Sequence, residues 1–355
     1  MIYPYLNETP QYNGLDVDFR SNFEYISESE IKSTIDFNVL REMYAKGNCK
    51  AIDILPYHEP FEKKINFDFI KCFDDLRVIG LEFGFYEFDL DSFRNNFPET
   101  LEVIHFNQVD QYNFDIKDFN AMNYSFVDGH PNLRNLGFES QSRKSTLRLE
   151  SKMPKILELF LYSYKEKNIK MDIANYPNLR KFSTDLPKAL SYFDFSTLNN
   201  LKFLRVKNKS QNLNIEEEIK NLPPCLEVLE LNGFQNTRVF PDLSHLTNLR
   251  YLAVDDFKEL EDLSALSNLK NLEFFSFHFR NKDFNLEKLK VLHEVETLRY
   301  IGGIRGSQLE DFDVIKSMFQ EKFNRSRMDY NINLKGLGEF YDRDPTGLSY
   351  IDGFY

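Results

Sequence analysis

The sequence predicts an α/β fold: a curved solenoid with a parallel sheet on its concave face and a helical cap at each end. Three observations predict it. First, the pattern L-x-x-[LF]-x-[LVF] occurs at Leu226, Leu249 and Leu272, so its starts are evenly spaced. Second, the same frame fits more loosely at Leu76, Leu101, Leu133, Ile156, Leu179, Leu201 and Leu298. The start-to-start spacings from Leu76 onward run 25, 32, 23, 23, 22, 25, 23, 23 and 26. Third, the 355 residues include 35 Phe and 19 Tyr but only 14 Gly. That apolar content supports a large core and excludes a disordered chain.

Within each copy the last two apolar residues alternate, so both point to one face of a strand. One such strand cannot bury its face alone. Stacked copies form a parallel sheet with strands about 4.8 Å apart and merge their apolar faces into one core. The segments between strands return over the far side, which is wider than a strand and therefore bends the stack.

The elements follow in order. Residues 1–49 form an N-terminal cap. Ser27 and Glu30 make a capping box, Ile31, Ile35, Val39 and Met43 form an apolar helix stripe, and Gly47 ends it. Residues 50–305 form about ten repeats, with Ala51–Leu55 as an irregular first strand. The long interval from Leu101 to Leu133 holds an aromatic-rich insertion, Asn107–His130. It is either a partner contact or a helix on the convex side. Residues 306–355 form a C-terminal cap. Ser307 and Glu310 repeat the capping box, and Leu309, Phe312, Phe319 and Phe323 line a helix face. A last strand at Tyr330, Ile332 and Leu334 belongs to a tail, Asn324–Tyr355, that is expected to pack.

Ten copies of this frame, with phrases such as Asp242-Leu243-Ser244-His245-Leu246-Thr247-Asn248-Leu249 and Asp262-Leu263-Ser264-Ala265-Leu266-Ser267-Asn268-Leu269, resemble the leucine-rich repeats of the internalin type. The resemblance covers residues 50–305. It implies short strands, tight convex turns and a non-enzymatic role in binding proteins. The chain departs from that family where an Asn or Cys usually follows the strand. Phe234, Phe257 and Arg280 stand there instead. Stacked Phe rings inside the coil are expected to replace the asparagine ladder.

No motif for hydrolysis, nucleotide binding or a zinc protease is present. The six His are scattered, so no metal site is expected, and no cofactor is expected either. Gly302-Gly303-Ile304-Arg305-Gly306 reads as a loosened turn into the C-terminal cap. Asp255-Asp256 reads as a pair of solvated turn residues. Cys49, Cys72 and Cys225 are expected to be free thiols in a reducing cytoplasm. The start of the chain does not read as a secretory signal, and no apolar run suits a membrane span.

The candidate site lies on the strand positions that flank the buried Leu. One row reads Val78, Val103, Asn135, Glu158, Lys181, Phe203, Val228, Tyr251, Phe274, Tyr300. Its last five members are expected to form an exposed aromatic stripe for a partner, unless the tail 324–355 covers them. Two further rows add Arg205, Lys207, Glu230, Asp255 and His278. Charge is divided along the chain. Residues 1–131 carry 11 basic and 24 acidic side chains (−13), residues 132–210 carry 16 and 7 (+9), and residues 211–355 carry 17 and 25 (−8), within a total of −12. The function expected is a monomeric module that binds a protein partner through the concave sheet, such as an inhibitor or toxin-immunity protein. An adaptor, a secreted effector, or a binder of RNA or an anionic ligand through the basic middle are the alternatives. The acidic balance argues against general nucleic-acid binding and against an anionic membrane surface.

Overall fold

A computed structural model describes residues 23–25, 51–54, 70, 76–83, 95–108, 127, 130–140, 147–162, 169–186, 188–208, 215, 218–305 and 311–324. Several sequence expectations fall outside these residues: the helix at 27–47, most of the insertion 107–130, the capping box at 307–310 and the tail after residue 324.

The chain divides into two compact units, which meet in sequence between Met171 and Asp172. The first unit contains β1 (Phe23–Tyr25), β2 (Ala51–Ile54), β3 (Val78–Phe83), β4 (Val103–Gln108), β5 (Asn135–Ser140) and β7 (Glu158–Tyr162). They pair in that order, all parallel. Two short strands, β6 (Leu147–Leu149) and β8 (Ile169–Met171), form a separate parallel pair. Thus β2 appears where the first strand was expected, but β1 precedes it, inside the segment read as a helical cap.

The second unit contains β9 (Lys181–Thr184), β10 (Phe203–Lys207), β11 (Val228–Asn232), β12 (Tyr251–Phe257), β13 (Phe274–Phe279) and β14 (Tyr300–Arg305). These also pair in parallel and in chain order. Between them run tight helical turns: the short α1 (Ala189–Tyr192) and single 3-10 turns such as Ile173–Asn175, Phe195–Thr197 and Ser264–Asn268. The core is built from the motif. Leu204, Leu229, Leu252 and Phe275 have no exposed surface, and neither do Leu226 and Leu272 at the motif starts. The return segments contribute Leu243, Leu246, Leu263 and Leu266, all buried.

Polar side chains fix the geometry of each coil. Asp172, Asp194, Asp242, Asp262 and Asn285 each accept a bond from the backbone N–H two residues on, at 2.8–3.1 Å. This starts each return turn by satisfying an otherwise orphaned donor. These N–H bonds hold the Asp242 and Asp262 carboxyls below their usual range. An asparagine ladder does exist, but before the strand rather than after it. Asn132, Asn200, Asn248 and Asn271 immediately precede a motif Leu. Each donates its amide to a carbonyl of the preceding coil: Glu99, Pro177, Pro224 and Thr247, at 2.7–3.2 Å.

After the strands Phe side chains fill the interior as expected, with one substitution. The Phe234 and Phe257 rings lie 5.9 Å apart, both buried. The third place belongs to Phe279, not Arg280. A bulge after Asp255 shifts the register so that Phe257 pairs with Phe279. Asp256 carries the bulge with φ of 57°. Phe279 is buried, while Arg280 turns outward and pairs with Asp256. The physical reason is that one extra residue in β12 restores the apolar phase that a constant repeat spacing alone would lose.

The glycine pair is corrected too. Gly302 and Gly303 lie within β14, not in a turn. A Cβ on Gly302 would collide with the Tyr300 hydroxyl, and one on Gly303 with the Phe277 carbonyl oxygen. At position 303 the neighbour is backbone, so glycine is needed there for close approach rather than for turning.

The last described element is α2 (Asp311–Asn324), which packs on β14 and on the 3-10 segment Leu286–Glu294. Ile315 and Phe319 are buried, and Phe319 stacks on the His293 ring at 4.5 Å. Lys322 Nζ donates to the carbonyls of Leu292, His293 and Val295 at 2.6–3.0 Å, closing the end of that 3-10 segment. No helix among the described residues is long and apolar enough to cross a membrane.

Candidate functional site

The rows expected from the sequence are in register. Phe203, Val228, Tyr251, Phe274 and Tyr300 pair across five consecutive strands. So do Arg205, Glu230, Ala253, Ser276 and Gly302, and Lys207, Asn232, Asp255, His278 and Ile304.

The exposure expected for the aromatic row is wrong. Phe203, Val228 and Tyr251 are only 4%, 2% and 3% exposed, and Phe274 and Tyr300 are half-buried. In-register parallel strands set equivalent side chains of one row side by side, within lateral reach of both neighbours. Phe274 and Tyr300 rings sit 6.1 Å apart, and Tyr300 also leans over Gly302 in the next row. Lys181 Nζ and the Arg205 guanidinium lie 4.9 and 5.8 Å from the Phe203 ring centroid. Burial raises the Tyr300 hydroxyl above its ordinary titration range. The first unit shows the same behaviour with polar residues: Asn135 and Glu158 are buried, and Asn135 donates to Glu158 at 2.9 Å.

What remains accessible is polar and already paired. Arg205 and Glu230 form a half-buried ion pair across β10 and β11. Asn232 donates its amide to Asp255, and the other Asp255 oxygen meets His278 Nδ1 at 2.9 Å. This Asn232–Asp255–His278 relay runs over three strands, with the Asp255 and His278 side chains 41% and 47% exposed. Because a carboxylate only accepts, its contact assigns a proton to His278 Nδ1. Asp256, read as a solvated turn residue, instead lies mostly inside the bulge and holds Arg280. Lys207 is half-buried at the other end of the row. The site residues therefore sort into two kinds: a buried floor of Phe203, Val228 and Tyr251, and an accessible rim of Lys207, Asp255 and His278.

A second charged row escaped the sequence reading. The residue after each motif start reads Lys202, Glu227, Arg250, Glu273, Arg299, alternating in sign. Lys202 pairs with Glu227, Arg250 with Glu273 at 2.7 Å, and Arg299 with Glu273 at 3.7 Å. In the first unit Arg77 and Glu102 do the same at 3.5 Å. The signal was there as alternation at the repeat spacing, but it shows only when residues one repeat apart are read together.

Among the described residues no group of three or more His, Cys, Asp or Glu is placed to hold a metal ion. Cys225 is a free, half-buried thiol that donates to the Leu201 carbonyl at 3.2 Å, and burial raises its titration point. Among solved structures, a leucine-rich-repeat protein of Leptospira interrogans is similar at 14% identity, over 70% of this chain and 83% of that one, with a TM-score of 0.33. No family model matches the chain, and no curated protein matches it.

Proposed function

We propose that this chain is a non-enzymatic module that binds a protein partner, with the rim residues of β10–β13 as its contact surface. The observation that carries the reading is the Asn232–Asp255–His278 relay beside the Arg205–Glu230 pair, held on successive strands next to the buried row of Phe203, Val228 and Tyr251. Such a surface is rigid before binding, so little side-chain freedom is lost when a partner docks. That suits an inhibitor acting by occlusion, of which a toxin-immunity protein is one form. The segregation of charge into −13, +9 and −8 segments favours one orientation of approach. The reading of an anionic ligand at the basic middle draws less support, because Lys202 and Arg205 are already matched by Glu227 and Glu230 and Lys181 is buried.

The test is affinity capture from the native cell with matched variants. Lys207→Glu and His278→Ala should each lose a partner that the unaltered chain retains, with circular dichroism unchanged. Glu261→Lys, on an exposed return segment, should keep it. Retention by all four proteins would sink the assignment of the rim.

A further inference from the structure

We propose that His130 is a pH-operated latch between two successive turns of the first unit. One turn precedes β4 (residues 97–100) and the other precedes β5 (residues 130–133). The argument begins with the two ring nitrogens. The backbone N–H of Leu133 donates to Nδ1 at 3.1 Å, and that of Asn132 reaches it at 3.4 Å. Two donors at one nitrogen require a lone pair there, which assigns the proton to Nε2. Nε2 lies 2.9 Å from the Pro98 carbonyl oxygen and donates to it. The neutral imidazole thus binds its own turn through one nitrogen and the preceding turn through the other. The Phe97 ring meets it edge-on at 4.6 Å. The Asn132 amide adds a bond to the Glu99 carbonyl at 2.7 Å, so the same two turns are fastened a second time.

A proton added at Nδ1 turns an acceptor into a donor that faces two N–H groups. Both bonds are then lost, and the turn holding buried Leu133 is released. The charged groups facing the ring oppose each other. Glu99, beside the first turn, favours the cation, and Lys155, from the turn before β7, disfavours it. Lys155 is held there by its bond to the Pro131 carbonyl at 3.1 Å. Burial is the largest influence and holds the His130 titration below the ordinary histidine value of 6.5. The sign follows. The neutral ring is the folded form, so the latch is closed above about pH 6.5 and opens as pH falls through the lowered folded value.

The experiment is nuclear magnetic resonance of the full chain between pH 7.5 and 5. At pH 7.5 the ring nitrogens should report Nδ1 bare and Nε2 protonated. As pH falls below 6.5, amide protection factors at Asn132 and Leu133 should fall, by up to about tenfold per pH unit until the folded ring itself titrates, while those at Leu204 and Leu229 in the other unit stay constant. Lys155→Ala should raise the midpoint and Glu99→Gln should lower it, since both side chains are exposed and bear on the ring by charge. His130→Gln should abolish the pH dependence; if it does not fold, the two shifted midpoints still decide. A proton found on Nδ1 at pH 7.5, flat protection at Asn132 and Leu133, or midpoints moving the opposite way would overturn the latch.

Discussion

Replacing Tyr251 by Ala tests the buried floor directly. Tyr251 is 3% exposed and sits between Val228 and Phe274 in an in-register row. Leu252, next to it, has no exposed surface and points to the other face of the sheet. Both side chains are buried, so both substitutions delete buried apolar volume. Leu252→Ala should cost about 3 kcal/mol and Tyr251→Ala about 3–4 kcal/mol. With a urea slope of about 2 kcal/mol per molar, each midpoint falls by roughly 1.5 M at unchanged slope. A ring standing free in solvent would cost less than about 0.5 kcal/mol, and the midpoint would move by roughly 0.3 M or less. Tyr251→Phe separates the hydroxyl from the ring. A Tyr251→Ala midpoint within roughly 0.3 M of the parent, alongside a large Leu252→Ala shift, refutes the burial of this row. It would restore the aromatic stripe as an exposed contact surface.

Three further outcomes follow from the same geometry. Phe279→Ala should cost about 3 kcal/mol and Arg280→Ala less than about 1 kcal/mol; equal losses in urea unfolding would mean that the bulge at Asp256 does not set the phase. Asn271→Ala removes a bond to the Thr247 carbonyl and should cost about 1 kcal/mol in the same unfolding assay, whereas Asn271→Asp should cost more, because a carboxylate cannot donate to that oxygen. Burial lowers His105 to about 4, with a hydrogen bond to Asn135 partly opposing. The neutral ring is therefore the folded form. Its contribution is complete above about pH 6.5 and is lost as pH falls toward 4, on the order of 3 kcal/mol in all. The difference in stability between the unaltered chain and His105→Gln, followed from pH 7 to pH 4, checks it by shrinking over that window.

Strand positions and register were legible because apolar residues recur at a nearly constant spacing. Leu204, Leu229, Leu252 and Phe275 mark the interior without reference to anything outside their own repeat. Equivalent positions of successive repeats align Arg205 with Glu230 and Asp255 with His278 in the sequence itself. What failed was exposure. Val228 and Tyr251 lie on the face opposite the interior, where alternation predicts solvent, yet both are buried. The bulge at Asp256 escaped for a related reason, since an extra residue in one strand is visible only against its partner. The pre-strand asparagine ladder was hidden because each Asn bonds a carbonyl of the preceding coil, beyond the reach of any local pattern.

The amino-acid sequence by itself determined a stack of parallel strands with apolar residues at fixed phase, because one strand of this pattern cannot bury its own face. Tertiary structure alone decided which flanking side chains meet solvent. Burial there depends on what packs against that face, which the pattern of one strand does not contain. Its result is a floor made of Phe203, Val228 and Tyr251 and a rim made of Lys207, Asp255 and His278.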